Sequence, residues 1–147
     1  MWKVQDIPNK DDIYIRISHS FISKKDQLPS ASAFLNTPKD GKNLSCDWSE
    51  HCTPESSREL IGKQKKGEVY KDPNLFFIWS MCVGLVREKV VPSQDVIHEP
   101  IYNNPEKDGK PNNRAHSIIE GEKQTNNAEF RVNIILIGKW VISPAQI

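Results

Sequence analysis

The sequence contains too few cysteines to predict either a disulfide framework or a structural zinc site. There are three, Cys46, Cys52 and Cys82, so the count is odd and the spacing is irregular. Five residues separate Cys46 from Cys52, which is not the spacing of a zinc-binding pair. Reduced thiols in a cytoplasmic protein are therefore the simplest interpretation.

The sequence also lacks an excess of charge of either sign. Its 20 Lys and Arg residues are balanced by 19 Asp and Glu residues, giving a net charge of +1 at pH 7. The chain as a whole therefore has no electrostatic attraction for nucleic acid, although a local basic patch is compatible with this balance. The densest basic segment, residues 63–71, is best explained as a solvated helix end.

No hydrophobic run is long enough to cross a bilayer. The longest, LFFIWSMCVGLV, has about 12 residues, whereas a membrane-spanning helix needs roughly 20. The N-terminal sequence MWKVQDIPNKDD has no apolar core of a signal peptide. We therefore expect one globular domain, residues 1–147, without a membrane segment, in which a hydrophobic content of 37% leaves room for generous polar loops.

Alternating hydrophobic residues predict a set of short strands. In DIYIRIS, Ile13, Ile15 and Ile17 face one way and the polar residues between them face the other, which is typical of a half-buried strand. The segment LSCDW, residues 44–48, alternates in the same way. Further strands are predicted over residues 75–81 (followed by a short turn or helical piece through Arg87), in QDVIHEP and in AHSIIEG.

One helix is predicted from its capping signal. Thr53 is a good N-cap, Pro54 suits the first helical position, and Glu55 complements the positive end of the helix dipole. This helix should run from about residue 54 to about residue 64. Together with the strands, it predicts an α+β fold with a small, mostly antiparallel sheet and two principal helices.

The second principal helix is predicted near the C-terminus, in NNAEFRVNIILIGKW. Hydrophobic residues recur there at helical spacing, and Asn127 is a candidate N-cap. We expect a helix over residues 128–141, with Phe130 and Trp140 on its core side. The run IILI is equally compatible with a buried strand.

Two polar motifs carry a resemblance to a known family. LSCDWSEHCTPESSRE resembles the pattern Ser-Val-Asp-Trp, four variable residues, Thr-Pro-Glu, then Arg, and NNRAHSIIEG resembles Asn-Arg-Ala-His-Ser, variable, Ile, variable, Gly. Both patterns are typical of a family of small prokaryotic proteins, which YIRI, PSASAF and KWVI also resemble. The resemblance spans nearly the whole chain but departs at Cys46, where valine is usual, and in extra residues between Tyr102 and Asn113. It implies that the polar positions act together, and it implies no particular reaction.

Two histidines are the candidate catalytic residues. His116 can act as a general acid or base, because imidazole titrates near neutral pH, and the neighbouring Asn113 and Arg114 could converge with it on a ligand. His98 would come close to it if the strands QDVIHEP and AHSIIEG lie side by side, and paired histidines can cleave RNA without a metal. The alternative is that both are strand-end histidines with structural hydrogen bonds.

Further candidates are ligand-binding residues. Arg16 and Arg87 could bind an anion, since a guanidinium suits bidentate recognition of phosphate; the alternative is a partly buried ion pair, with Asp47 as one partner. Ser32 lies in a Ser-rich loop that could hold a nucleotide against Arg16. Ser45, Asp47 and His51 contain the residue types of a nucleophile triad, but no Gly-x-Ser-x-Gly turn is present.

No metal and no cofactor are predicted. The four histidines lack ligand spacing, and neither a phosphate loop nor a dinucleotide fingerprint is present. Three functions remain: a protein-interaction module, for which the family resemblance suggests a defence or mobile-element system; a metal-independent enzyme acting on RNA or a nucleotide; and a nucleotide-dependent transferase. The first is preferred, because each polar residue also has a structural explanation. The test is whether one pocket gathers the candidates Arg16, Ser32, Asp47, Arg87, His98 and His116.

Overall fold

A computed structural model describes residues 2–34, 43–103, 110–123 and 128–144. Eight strands and three α-helices are assigned in these ranges. In chain order they are β1 (Asp12–Ser18), β2 (Asn43–Trp48), α1 (Pro54–Glu59), β3 (Lys65–Lys66), β4 (Val69–Tyr70), β5 (Phe76–Cys82), α2 (Val83–Lys89), β6 (Asp95–His98), β7 (His116–Glu120), α3 (Ala128–Leu136) and β8 (Gly138–Ile142). The predicted α+β class is therefore confirmed.

Six of the strands form one sheet in the order β6–β7–β2–β1–β5–β8, and every pairing in it is antiparallel. β3 and β4 form a separate hairpin in the basic segment, where the sequence predicted only a solvated helix end. None of the described helices has the length and hydrophobicity needed to cross a membrane.

The sheet opens in its middle, between β1 and β2. These two strands pair only at Ile13 with Trp48 and at Tyr14 with Asp47. By contrast, β1 pairs with β5 along its whole length, from Asp12 to Ser18, and β2 pairs with β7 over most of its length. The sheet is thus two three-stranded halves that meet at one end and diverge toward the other.

Alternation along the strands gives the sheet two different faces. One, the core face, carries the predicted isoleucines Ile13, Ile15 and Ile17, all buried, together with hydrophobic residues of α2 and α3. The other, the polar face, carries the intervening residues of the same strands, because successive side chains of a strand point to opposite sides. Its members near the opening of the sheet are Tyr14, Arg16, Ser45, Asp47 and His116.

The predicted start of α1 is confirmed, and its cap is reciprocal. The Thr53 hydroxyl accepts a hydrogen bond from the Ser56 amide, and the Ser56 hydroxyl accepts one from the Thr53 amide. Pro54 occupies the first turn, where its missing N–H costs nothing. The α-helix ends at Glu59, and the chain continues as a 3-10 helix, Leu60–Lys63. The helical segment therefore extends nearly to the predicted end at about residue 64, but its last four residues are more tightly wound.

The predicted C-terminal helix is wrong beyond Leu136. α3 ends there, and the chain continues as β8, which pairs with the edge of the sheet at β5. Trp140 therefore lies on a strand, where its ring packs edge-on against Trp79 with 5.2 Å between ring centroids. Pairing with the exposed edge of β5 outweighs the helical spacing of the sequence. The candidate cap Asn127 lies outside the described residues.

Gly138 begins β8 because no larger residue fits beside Trp79. A Cβ atom at this position would overlap the buried Trp79 indole ring. We expect Gly138→Ala to lower the free energy of unfolding by about 1–3 kcal/mol, the usual cost of overpacking. Urea denaturation would measure it, with the exposed neighbour Lys139→Ala as a control that stays near the wild-type value. An unchanged midpoint for Gly138→Ala would contradict the close approach of β8 to Trp79.

Candidate functional site

A cleft opens on the polar face where β1 and β2 diverge. It has a volume of about 190 Å³, and both of the separating strands line it. Their facing main chains are not paired with each other beyond Tyr14 and Asp47, so the cleft interrupts the middle of the sheet. Its polar wall is made by Tyr14, Arg16, Ser45, Asp47, Asn113 and His116. Four of the predicted site residues are therefore brought together.

Asp47 is the centre of this wall and is almost completely buried. Its Oδ2 accepts hydrogen bonds from Arg16 Nη2, at 2.8 Å, and from the Ser57 hydroxyl. Its Oδ1 accepts one from Asn113 Nδ2 at 2.7 Å. A buried carboxylate costs a large desolvation energy unless it is paired and hydrogen-bonded, and this one is satisfied by three donors.

Arg16 is held in place by the same cluster. Besides its ion pair with Asp47, its Nε donates to the Ser57 hydroxyl at 3.3 Å. Its side chain remains 20% exposed at the cleft. The ion-pair interpretation of Arg16 is therefore confirmed, and its role as an anion-binding residue stays a prediction.

Asn113 links the β7 side of the cleft to Asp47. Its Nδ2 donates to the carboxylate, and its Oδ1 accepts a hydrogen bond from the Ala115 amide at 3.1 Å. The motif Asn-Arg-Ala-His thus forms a turn. In its first residue, both the nitrogen and the oxygen of the side-chain amide are hydrogen-bonded. These bonds give Asn113 a positioning role, and the ligand contact that the sequence predicted for it stays a prediction.

His116 lines the cleft with one ring nitrogen fixed to the main chain. Its Nδ1 lies 2.7 Å from the Glu99 carbonyl, which can only accept, so Nδ1 carries the proton. Nε2 then has a lone pair, and the Ser45 hydroxyl donates to it at 3.3 Å. Burial lowers the pKa of His116 below its ordinary value, as does the positive charge of Lys110, against the opposing effects of the Glu99 carbonyl and Asp47. His116 is therefore a neutral hydrogen-bond acceptor at pH 7.

This environment makes stability depend on pH. Because the pKa of His116 is lower in the folded than in the unfolded protein, unfolding takes up a proton below about pH 6.5. We expect the free energy of unfolding to fall between pH 7.5 and pH 5.5, and to fall less in His116→Gln. His51, whose pKa is lowered mainly by burial, contributes in the same direction and remains in the variant. Equal pH dependence of the two proteins in urea denaturation would contradict the assignment to His116.

The predicted pairing of His98 with His116 is wrong, although their strands do lie side by side. His98 is directly opposite Ser117, not His116, and successive residues of a strand point to opposite faces. His98 is buried on the core face, where its Nδ1 accepts from the Gln5 amide at 3.0 Å and its Nε2 donates to the Arg114 carbonyl at 2.7 Å. Both ring nitrogens are thus occupied by the main chain.

Three other candidates also lie away from the cleft. Arg87 binds the carbonyls of Ile7 and Val96 and forms an ion pair with Asp95, so it joins the N-terminal segment to β6. Arg114 is exposed, and its main chain supports His98. Ser32 is exposed on a 3-10 turn, and its neighbour Ala33 lines the cleft instead.

The weak nucleophile triad is not assembled. His51 Nε2 bonds with the Gln5 side chain at 2.8 Å, and the His51 ring packs edge-on against Trp48. Ser45 instead meets His116, a pairing across strands that the sequence did not predict. Within the described ranges, no three His, Cys, Asp or Glu side chains come close enough to hold a metal ion.

Ser57 and Lys110 are site residues that sequence reasoning missed. Ser57 is completely buried on α1 and donates to Asp47; a serine on the inward side of a capped helix was the available signal. Lys110 lines the cleft and adds a positive charge beside His116. Its position in a polar loop gave no signal.

The chain matches no protein-family model, no curated protein and no solved structure. We therefore infer the chemistry of the cleft from the atoms that line it. It offers a fixed guanidinium, a nearby ammonium and a neutral imidazole, with one carboxylate that is already fully bonded.

Proposed function

We propose that this domain binds a small anion in the cleft between β1 and β2, through Arg16. The observation that supports this most strongly is the network around Asp47, which holds the Arg16 side chain, 20% exposed, at the wall of a cleft. Preorganised donors bind anions well because little side-chain freedom is lost on binding. Lys110 adds a second cationic side chain to the lining of the cleft.

The size of the cleft limits the ligand. Pockets for drug-sized molecules have about 300–1,000 Å³, so 190 Å³ suits a metabolite of a few heavy atoms or the anionic end of a longer molecule. A terminal phosphate of RNA or of a nucleotide meets this description, whereas a whole nucleotide cofactor would extend outside. The two-histidine reaction on RNA loses its basis, because His98 and His116 occupy opposite faces.

We also propose a cellular location for the domain, based on its cysteines. The three cysteines are unpaired, and burial raises the pKa of Cys52 to about 12 and that of Cys46 well above its ordinary value, so these two thiols are unreactive. This supports a reducing, cytoplasmic location in which the domain serves as a ligand-binding module. A protein partner that distinguishes the bound from the free domain would fit the interaction role favoured by the sequence.

Calorimetric titration with inorganic phosphate tests the role of Arg16. We expect Arg16→Gln to weaken binding by about 10–100-fold, the worth of a hydrogen bond to a charged group. Arg16→Lys keeps a cation beside Asp47 and should bind with intermediate affinity, which separates loss of binding from loss of folding. Arg114→Gln is the matched control, because this exposed arginine lies outside the cleft, and its affinity should be unchanged. Equal affinity of wild type and Arg16→Gln would overturn the proposal.

A further inference from the structure

We infer that the anion recognised by the cleft also carries a hydroxyl group, so that the ligand is a small hydroxy acid or a phosphorylated polyol. This rests on the proposed function and names the ligand class of the same site. It follows from which hydrogen-bonding atoms of the cleft are already used and which remain for a ligand.

Most polar atoms of the Asp47 network already have a partner within the protein. Both carboxylate oxygens accept from protein donors, and the Asn113 amide is bonded through its nitrogen and its oxygen. Arg16 uses Nε and Nη2 in these contacts and keeps further N–H groups on the same planar guanidinium. The site therefore offers donors for an anion at Arg16, and the Asp47 carboxylate, which would otherwise repel the anion, is already paired.

His116 offers the opposite kind of group. With its Nδ1 proton donated to Glu99, its Nε2 can only accept. The bond from the Ser45 hydroxyl is 3.3 Å long, against about 2.8 Å for a well-formed bond from a hydroxyl, so this acceptor is weakly engaged. An incoming hydroxyl can donate to Nε2 while the Ser45 hydroxyl turns to donate to it in return.

A ligand whose only polar atoms are anionic oxygens would place a hydrogen-bond acceptor against His116 Nε2, which is also an acceptor. An oxygen of phosphate or carboxylate facing Nε2 finds no proton there and loses its water without replacement. A hydroxyl beside the anionic group removes this mismatch. Discrimination by a site built to bond a hydroxyl is strong, because the analogue that lacks it leaves a buried polar atom unpaired.

Two matched pairs of ligands test the inference by calorimetry at pH 7.5. They are glycerol 3-phosphate against propyl phosphate, and glycerate against propionate. We expect the hydroxylated member of at least one pair to bind about tenfold more tightly, the worth of one well-placed hydrogen bond. The phosphate pair and the carboxylate pair separate the two sources of the anion.

Acidification supplies a test that requires no mutation. Protonated His116 becomes a donor, so the preference for the hydroxylated member should fall as the pH is lowered through the depressed pKa of His116. The charged groups around the ring are Asp47 on β2, Glu99 after β6, Lys110 before β7 and Arg16 on β1. The two members of the phosphate pair ionise alike, so the ionisation of their phosphate groups does not change the ratio of their affinities. His116→Phe, which has neither an acceptor nor a charge, should reduce the preference at pH 7.5.

The outcomes separate this inference from the proposed function. Equal affinity within both pairs at pH 7.5, with binding still lost in Arg16→Gln, would overturn the hydroxyl requirement and leave anion binding intact. A preference that persists unchanged in His116→Phe, which has no acceptor, would also overturn it, because the discriminating group would not be His116. No binding of any member, or of inorganic phosphate, would overturn both.

Discussion

Replacing Asp47 with alanine is expected to lower the free energy of unfolding by about 3–5 kcal/mol, the usual cost of removing one partner of a buried ion pair. The substitution leaves Arg16 as a largely buried cation without a counter-charge. It also removes the acceptor of the Ser57 and Asn113 side chains, both of which are buried. Three donors therefore lose their partner at once. Such substitutions are costly because buried donors are left without a hydrogen bond.

Asp47→Asn provides a graded comparison. It keeps the shape of the side chain and one acceptor but removes the charge, so its stability should lie between wild type and Asp47→Ala. Glu88→Ala is a control for loss of an acidic residue, since Glu88 is exposed and its contact with Lys89 is a surface ion pair. Equilibrium denaturation in urea would give all three values. A loss below about 1 kcal/mol for Asp47→Ala would show that the network is not formed in solution.

Replacing Phe130 with alanine is expected to cost about 3–5 kcal/mol, as for other aromatic residues removed from a packed core. Phe130 lies on α3 with 5% of its surface exposed, and it packs in the same core as Ile134 one turn later. α3 is short, so its attachment to the sheet depends on a few such contacts. Loss of this ring should therefore weaken the docking of the whole helix.

Val132→Ala on the same helix is the matched control. Its side chain is half exposed, and alanine favours helix more than valine does, so its free energy of unfolding should stay within about 0.5 kcal/mol of wild type. A Phe130→Ala protein with the denaturation midpoint of Val132→Ala would contradict the burial of Phe130. Thermal unfolding followed by circular dichroism is an independent measurement.

Local signals in the sequence were sufficient for β1 and for the start of α1. The alternation of Ile13, Ile15 and Ile17 has one explanation, a strand with one buried face, and Thr53 with Pro54 forms a cap that needs no distant partner. At the C-terminus, local signals conflicted. Helical spacing from Phe130 onward was correct for α3, but the strand β8 depends on pairing with β5 and on the space beside Trp79, neither of which is encoded nearby in the chain.

Only part of the site could be predicted from the sequence, for a related reason. An ion pair with Asp47 as one partner was one of two interpretations that the sequence left open for Arg16, and the Asn-Arg-Ala-His motif placed His116 beside polar neighbours. The relation of His98 to His116 depended on strand register, and a shift of one residue moves a side chain to the other face of a sheet. Ser57 reaches the site only because α1 packs over the polar face, which is a tertiary contact.

The opening between β1 and β2 has a consequence for synthesis of the protein. β2 meets β1 at only two residue pairs, so most of its main chain finds a partner only in β7. In the chain, 71 residues separate Ser45 from His116, and a ribosome adding about 5–20 residues per second needs roughly 4–14 s to supply them. Throughout that interval the nascent β2 has an unsatisfied edge, exposed to chaperones and to neighbouring nascent chains. The walls of the cleft are accordingly assembled late, when the second half of the chain has left the ribosome.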